Sequence, residues 1–357
     1  MRKFLIMSGL LLGLPLSGVM LAGYPAGRYL EFPPVTRFIG HAPFSWTAFA
    51  VFALLIGFSI APFIIRGAGK RVDVPRTAMG SFPWWGWLAC AGLAAAWALA
   101  WTRIPLFKQL QPYTFVPPWL CYIVIVNALT YARTGTCMLL HRTGYFLLLF
   151  PASAAFWWFF EYLNRFVQNW YYAGVRFGAL KYFILASLSF STVLPAVLGT
   201  RDLLLSFPGL VLRFNQWTAL RPRRPRLLAL AGLVISAAGL GLIGILPDYL
   251  FPLLWVSPLV IIVSLQALSG ERHILHDIGT GNWSVFVASI LSALVCGVFW
   301  EMWNYYSLAR WIYSVPLVHR FAVFEMPLLG YAGYLPFGLE CAVIGEIIGG
   351  MAGNKKI

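Results

Sequence analysis

Ser284 to Asn304 reads SVFVASILSALVCGVFWEMWN, and its first charged residue is Glu301. At 1.5 Å of rise per residue, such a run crosses the ~30 Å hydrocarbon layer of a bilayer as a helix before it meets a charge. The same order of residues occurs earlier. Tyr145 to Asn164 reads YFLLLFPASAAFWWFFEYLN, again apolar until a glutamate, Glu161, with an asparagine three residues on. Trp170 and Tyr172 follow the first motif, Trp311 and Tyr313 the second.

Working outward, apolar stretches fall near 4–22, 44–64, 82–101, 118–132, 145–163, 182–199, 227–246, 249–268, 284–303 and 328–350. They are too long and too unalternating for barrel strands, and lipid-exposed backbone must bond internally, so they predict helices. The expected fold is all-α: a polytopic transmembrane bundle of about ten helices. A 60% hydrophobic content, 10% charged residues and a mean hydropathy of +0.77 exclude an ordinary soluble domain. Sixteen Trp, sixteen Tyr and 28 Phe fit interfacial aromatic belts.

The net charge of +15 sits in short loops between apolar runs and belongs to no nucleic-acid motif, so no nucleic-acid partner is expected. Seventeen of the 26 Lys and Arg fall on one side of the expected bundle, at Arg2 and Lys3, 66–76, Arg133 and Arg142, 201–226, Arg272, and Lys355 with Lys356. The positive-inside rule makes that side cytoplasmic and puts both termini there, in the plasma (inner) membrane. Residues 1–22 read as a signal peptide with a poor cleavage site or, preferably, as an uncleaved first helix; both leave Gly23 outside.

Arg221-Pro222-Arg223-Arg224-Pro225-Arg226 marks a boundary between two related halves, 82–220 and 221–357, preceded by two N-terminal helices and a basic loop in 1–81. Trp119 opens the run that leads to Glu161, and Trp255 the one that leads to Glu301. From glutamate to the next-span proline is 34 residues to Pro195 and 35 to Pro336, so one inserted residue relates the copies. Four helices per half is an even number, which makes this a parallel internal repeat and puts both glutamates at the outer face.

A carboxyl at the end of a membrane helix needs a reason, which is a site or a packing contact. Asn164 and Asn304, at i+3, share a helix face with their glutamates and are placed to orient them. The helix dipole and desolvation both disfavour the anion there, which suits a carboxyl that gives and takes a proton. The same residues also fit an ordinary interfacial belt. Glu340, mid-span in the last helix, is the most costly acid and is expected to face the interior beside a base or polar side chain. The connections 164–181 and 304–327 are aromatic and polar, and predict a cover over the carboxyls that binds a flat apolar ligand through Trp170, Tyr172, Arg310, Trp311 and Tyr313. His273-Ile274-Leu275-His276-Asp277 lacks a second cluster at ligand spacing, and no Cys-x-x-Cys occurs, so neither a metal nor a cofactor is expected.

Trp311-Ile312-Tyr313 leading to Leu335-Pro336 and Glu340 resembles membrane lycopene cyclases and related carotenoid-modifying proteins. These also use homologous multi-helix units, interfacial Trp/Tyr segments and a proline followed by glutamate. The likeness covers 311–340. It departs at one point: the cyclase motif has two adjacent acids after the proline, and this chain contains no Glu-Glu. The resemblance implies cofactor-free protonation of an isoprenoid double bond, with Glu340 carried over as acid.

The expected function is therefore membrane acid–base chemistry on a lipid or isoprenoid, with Glu301, Glu340 and Glu161 as acids and bases. Two alternatives stay open: a transporter or lipid flippase, and a quinone-binding or anchoring subunit of a membrane complex. The sequence does not choose between a single chain, a homo-oligomer and a larger assembly.

Overall fold

Each of the ten apolar stretches is helical in the computed structural model, which describes residues 2–351 except 35, 70–72 and 74–78. The helices longer than two turns are α1 Arg2–Leu21, α2 Trp46–Ala68, α3 Trp84–Trp101, α4 Val116–Thr134, α5 Thr143–Val167, α6 Ala179–Phe190, α7 Val193–Leu205, α8 Pro225–Leu242, α9 Leu253–Leu268, α10 Ser284–Tyr305 and α11 Tyr334–Met351. The basic residues Lys70, Arg71, Arg76, Lys355 and Lys356 lie outside the described residues.

Six segments are long and apolar enough, by length and composition, to cross a membrane: 46–68, 143–167, 179–205, 225–242, 284–305 and 328–351. That is the framework of a helical integral membrane protein. Shorter apolar helices occupy 5–21 and 253–268.

The bundle has a packed centre and a lipid-like periphery. α10 packs on both α7 and α11, with α4, α5 and α9 around them, while α3 lies on α4, α8 on α9 and α1 on α8. Without a hydrophobic drive between helices in lipid, close backbone approach does much of the holding, and small residues allow it. A Cβ added to Gly18 of α1 would stand 1.6 Å from the carbonyl oxygen of Gly241 on α8, and one on Gly338 of α11 would stand 2.1 Å from that of Ser289 on α10. By contrast α2 fully buries no residue: Phe49, Phe52 and Phe63 pack partly on the bundle, and much of the rest of its apolar surface is exposed.

One expected helix is broken. The stretch read as a single span at 182–199 is two helices, α6 and α7, interrupted at Ser191 and Thr192. A break inside an apolar bundle frees backbone groups that must find partners. Ser153 of α5 supplies them: its hydroxyl donates to the Phe190 carbonyl (2.6 Å) and accepts from the Leu194 amide (2.9 Å). The last helix has a comparable change, a 3₁₀ segment at Leu328–Gly333 running into α11 at Tyr334. Arg201, counted above with a loop, lies instead in α7, buried and paired with Asp202 at 3.3 Å.

Almost no sheet is present. β1 Trp170–Ala173 pairs with β2 Arg310–Tyr313, and β3 Ala322–Val323 with β4 Met326–Pro327, both antiparallel. The first pair joins the two glutamate motifs at one end of the bundle.

Ser153→Ala leaves both the Phe190 carbonyl and the Leu194 amide unpaired. It should cost about 1–3 kcal/mol, read as a lower unfolding midpoint of the detergent-solubilised protein. Ser153→Thr, which keeps the hydroxyl, should recover part of that loss.

Candidate functional site

Glu161 and Glu301 end α5 and α10 at the strand-bearing end, and both side chains are fully buried. Each chain then turns back over its own helix end. After α5, Gln168 adopts a left-handed conformation (φ 51°) and its amide caps the Asn164 carbonyl. The Asn164 side chain continues the turn: its Nδ2 donates to the Trp170 carbonyl (2.9 Å), and its Oδ1 accepts from the amides of Asn169 (2.8 Å) and Trp170 (3.4 Å). Asn304 treats Trp311 in the same manner, Nδ2 to its carbonyl (2.8 Å) and Oδ1 from its amide (2.9 Å). Each asparagine thus pairs with one tryptophan backbone as a neighbouring strand would. The expectation that these amides orient the glutamates is corrected here, because their hydrogen-bonding capacity goes to the strands. Neither asparagine lines the cavity described below.

The strands pair in a register with a defined centre. Tyr171 faces Ile312, Trp170 faces Tyr313, and Tyr172 faces Trp311. Gly174, just past β1, has φ 90°, and a Cβ there would lie 1.8 Å from the Leu308 carbonyl oxygen, so only glycine passes. An extended N-terminal segment straps the pair from outside. Thr36 accepts from the Tyr172 amide (3.1 Å), and the Ile39 carbonyl accepts from the Ser314 hydroxyl (3.0 Å). His41 then bonds Asp248 through Nδ1 (2.8 Å).

Aromatic side chains hang from these strands onto the carboxyls. The Glu161 Oε1 accepts from the Tyr172 hydroxyl (2.6 Å) and from the indole N–H groups of Trp170 (3.0 Å) and Trp157 (3.3 Å). The Glu301 Oε1 accepts from the hydroxyls of Tyr334 (2.7 Å) and Tyr313 (2.8 Å), and Trp311 donates to the Tyr313 oxygen (2.9 Å). In both acids one oxygen takes every donor, while Oε2 is buried with no partner among the described residues. Tyrosine hydroxyls are one step from the acids, within the 2.6–3.2 Å reach of proton transfer.

These donors form the wall of a cavity of about 330 Å³, within the size range of small-molecule sites. Tyr172, Trp170 and Trp157 from around Glu161, Tyr313, Tyr334, Trp311 and Trp300 from around Glu301, and Trp255 and Phe190 all line it. The carboxyls themselves do not line it. The picture of an aromatic cover over a carboxyl floor is therefore corrected: the rings lie between cavity and acid, because each Oε1 draws its hydroxyl and indole donors inward. Arg310 is the one charged residue of the wall, held by the Tyr305 carbonyl (2.9 Å) and Glu325 (3.3 Å).

The aromatic packing crosses between the motifs. Trp119 of α4 lies on Trp300, beside Glu301, at a ring separation of 5.0 Å. Trp255 of α9 stacks on Phe160, beside Glu161, at 5.1 Å.

Glu340 is elsewhere. It is buried at 1% exposure in α11, and its Oε1 accepts from the Leu259 amide next to Pro258 of α9 (3.1 Å). Among the described residues no base reaches it; its partner is a main-chain amide beside a proline inside α9. It does not line the cavity. Trp157 and Tyr334 went unnoticed as site residues in the sequence. Trp157 is four residues before Glu161 and was legible as a helix neighbour, whereas Tyr334 is 33 residues from Glu301 and meets it only through α10–α11 packing. Among the described residues no group of His, Cys, Asp and Glu is arranged to hold a metal.

Asn164→Leu and Asn304→Leu should each cost about 1–3 kcal/mol by stranding a tryptophan amide and carbonyl. Because β1 and β2 share one ladder, the double variant should depart from additivity by at least about 0.5 kcal/mol, measured as a double-mutant cycle of unfolding midpoints; strict additivity would mean the strands are energetically independent. Compared with protein-family models, with curated proteins and with solved structures, the chain matches none of them.

Proposed function

We propose that this chain is a plasma-membrane enzyme that moves a proton on an apolar lipid or isoprenoid held in the aromatic cavity. The observation that carries this reading is that two tyrosine–glutamate pairs, Tyr172 on Glu161 and Tyr313 on Glu301, both border one largely apolar chamber. Glu301 supplies a proton through Tyr313 or Tyr334 to a double bond of the ligand. Glu161, behind Tyr172, accepts a proton released from another carbon. One proton enters and one leaves, so the bond is shifted or closed into a ring with no oxidant required. Surrounding indole and phenol faces suit a developing carbocation, since an aromatic face attracts positive charge. The general acid–base step is worth about 10²–10⁴ in rate. Glu340 is assigned to packing between α9 and α11.

The proposed setting has ten spans with both termini cytoplasmic, so that the cavity opens at the outer leaflet. The halves 82–220 and 221–357 form a parallel repeat about a pseudo-twofold axis through the Tyr171–Ile312 pair. Several contacts support this: equivalent strands pair with each other, both asparagines bond their tryptophans alike, and Trp119 and Trp255 each pack on the opposite motif. A twofold along the membrane normal makes flat-lying equivalent strands antiparallel, as found.

A transporter or flippase is favoured by a different observation. The interruption at Ser191–Thr192 and the 3₁₀-to-α change at Gly333–Tyr334 fall at corresponding places in the two halves and border the cavity at Phe190, Ser189, Gly333 and Tyr334. Paired broken helices at a repeat interface are a feature of transport sites.

Expression in a host should alter its extracted lipids or pigments. Glu301→Gln, which keeps the acceptor and removes the exchangeable proton, should abolish that change while the protein still inserts; Tyr313→Phe should slow it by about 10²-fold or more. Unchanged extracts together with lipid scrambling by the purified protein in vesicles would sink the enzyme reading in favour of transport.

A further inference from the structure

The cavity is apolar inside and basic at its rim. Tyr113 and Phe177, both lining residues, stack at 6.1 Å, and the ammonium of Lys181 stands 5.1 Å and 5.3 Å from their ring centres. Lys181 is exposed and has no ion pair among the described residues. Arg176 is exposed and lies between the lining residues Val175 and Phe177 in the chain. Arg310 lies in the wall itself, and its Nη1 bonds the Tyr305 carbonyl and Glu325. Three cations against one carboxylate leave this rim positive.

Leu188 of α6 lines the cavity and is 51% exposed, so the wall carries accessible apolar surface for a chain to lie against. The other end of the ligand meets the rim, where a neutral head would leave Lys181 without an ion pair.

We propose that the cavity takes an amphipathic lipid phosphate, its chain among the Trp and Tyr rings and its phosphate monoester at Lys181, Arg176 and Arg310. The phosphate is matched to such a rim because a dianion with three acceptor oxygens satisfies several N–H donors at once. Lys181 is a compact point charge, whereas the Arg310 guanidinium offers directed donors beyond the one already committed. This deepens the reading of the cavity as an isoprenoid or lipid site and rests on it.

The test compares farnesyl phosphate with farnesol, binding to the purified full-length protein in neutral detergent by native mass spectrometry. Farnesyl phosphate should bind about tenfold tighter or more, each tenfold being about 1.4 kcal/mol. Lys181→Glu, an exposed change, should remove most of that advantage and leave farnesol affinity unaltered; Arg176→Glu should act in the same direction. Inorganic phosphate should compete only weakly. Equal affinity for the two ligands would overturn the phosphate assignment while leaving the apolar cavity reading intact. Tight binding of inorganic phosphate without benefit from a chain would overturn it in favour of free anion. Binding of neither ligand would remove the cavity reading along with it.

Discussion

A carboxyl inside an apolar bundle has to be surrounded by donors, and this constraint organises the strand-bearing end of the molecule. Glu161 and Glu301 are fully buried, and together their Oε1 atoms gather hydroxyl and indole donors from five side chains. Bringing those donors to the acids requires that each chain fold back after its helix. Asn164 and Asn304 fix that return by pairing with tryptophan backbone, and the two returns then satisfy their outer edges by pairing with each other. The strand pair, the cavity and the crossed packing of Trp119 and Trp255 all follow from the placing of two acids at one end of the bundle.

The arrangement is not equal on its two sides, and the difference has chemical content. Around Glu161 two indoles and one phenol bond the carboxyl directly. Around Glu301 the indole of Trp311 bonds the Tyr313 oxygen instead, and Tyr334 takes the place beside the acid. One acid is thus held mainly by N–H groups, which cannot pass a proton on at neutral pH, and the other by hydroxyls, which can. Two acids in unlike surroundings are what an acid and a base on one ligand require. A basic residue in the wall, Arg310, and helix interruptions at Phe190 and Tyr334 border the same chamber.

Much of the framework was legible in the sequence. A run such as 284–304 has no other stable form in lipid than a helix, so length and apolar content were enough to place ten helical stretches. The duplicated motif was also visible, since Glu161, Asn164, Trp170 and Tyr172 recur in order as Glu301, Asn304, Trp311 and Tyr313. Less visible was the break between α6 and α7. The segment is continuously apolar, and only Ser153, some 40 residues away in the chain, makes the interruption tolerable. The role of the asparagines was misread for a similar reason: their i+3 spacing puts them on the face of the acid, but a side-chain amide bonds whichever backbone returns to it.

What the sequence determined by itself was the helical membrane character and the identity of the paired acids, because hydropathy and local order are properties of contiguous residues. Tertiary structure alone decided which groups meet: Tyr334 on Glu301, Tyr172 on Glu161, the Leu259 amide on Glu340 and the strand register between the motifs. Hydrogen bonds in a water-poor interior are made by whatever donor packing delivers. No periodicity in the chain encodes a partner that comes from another helix.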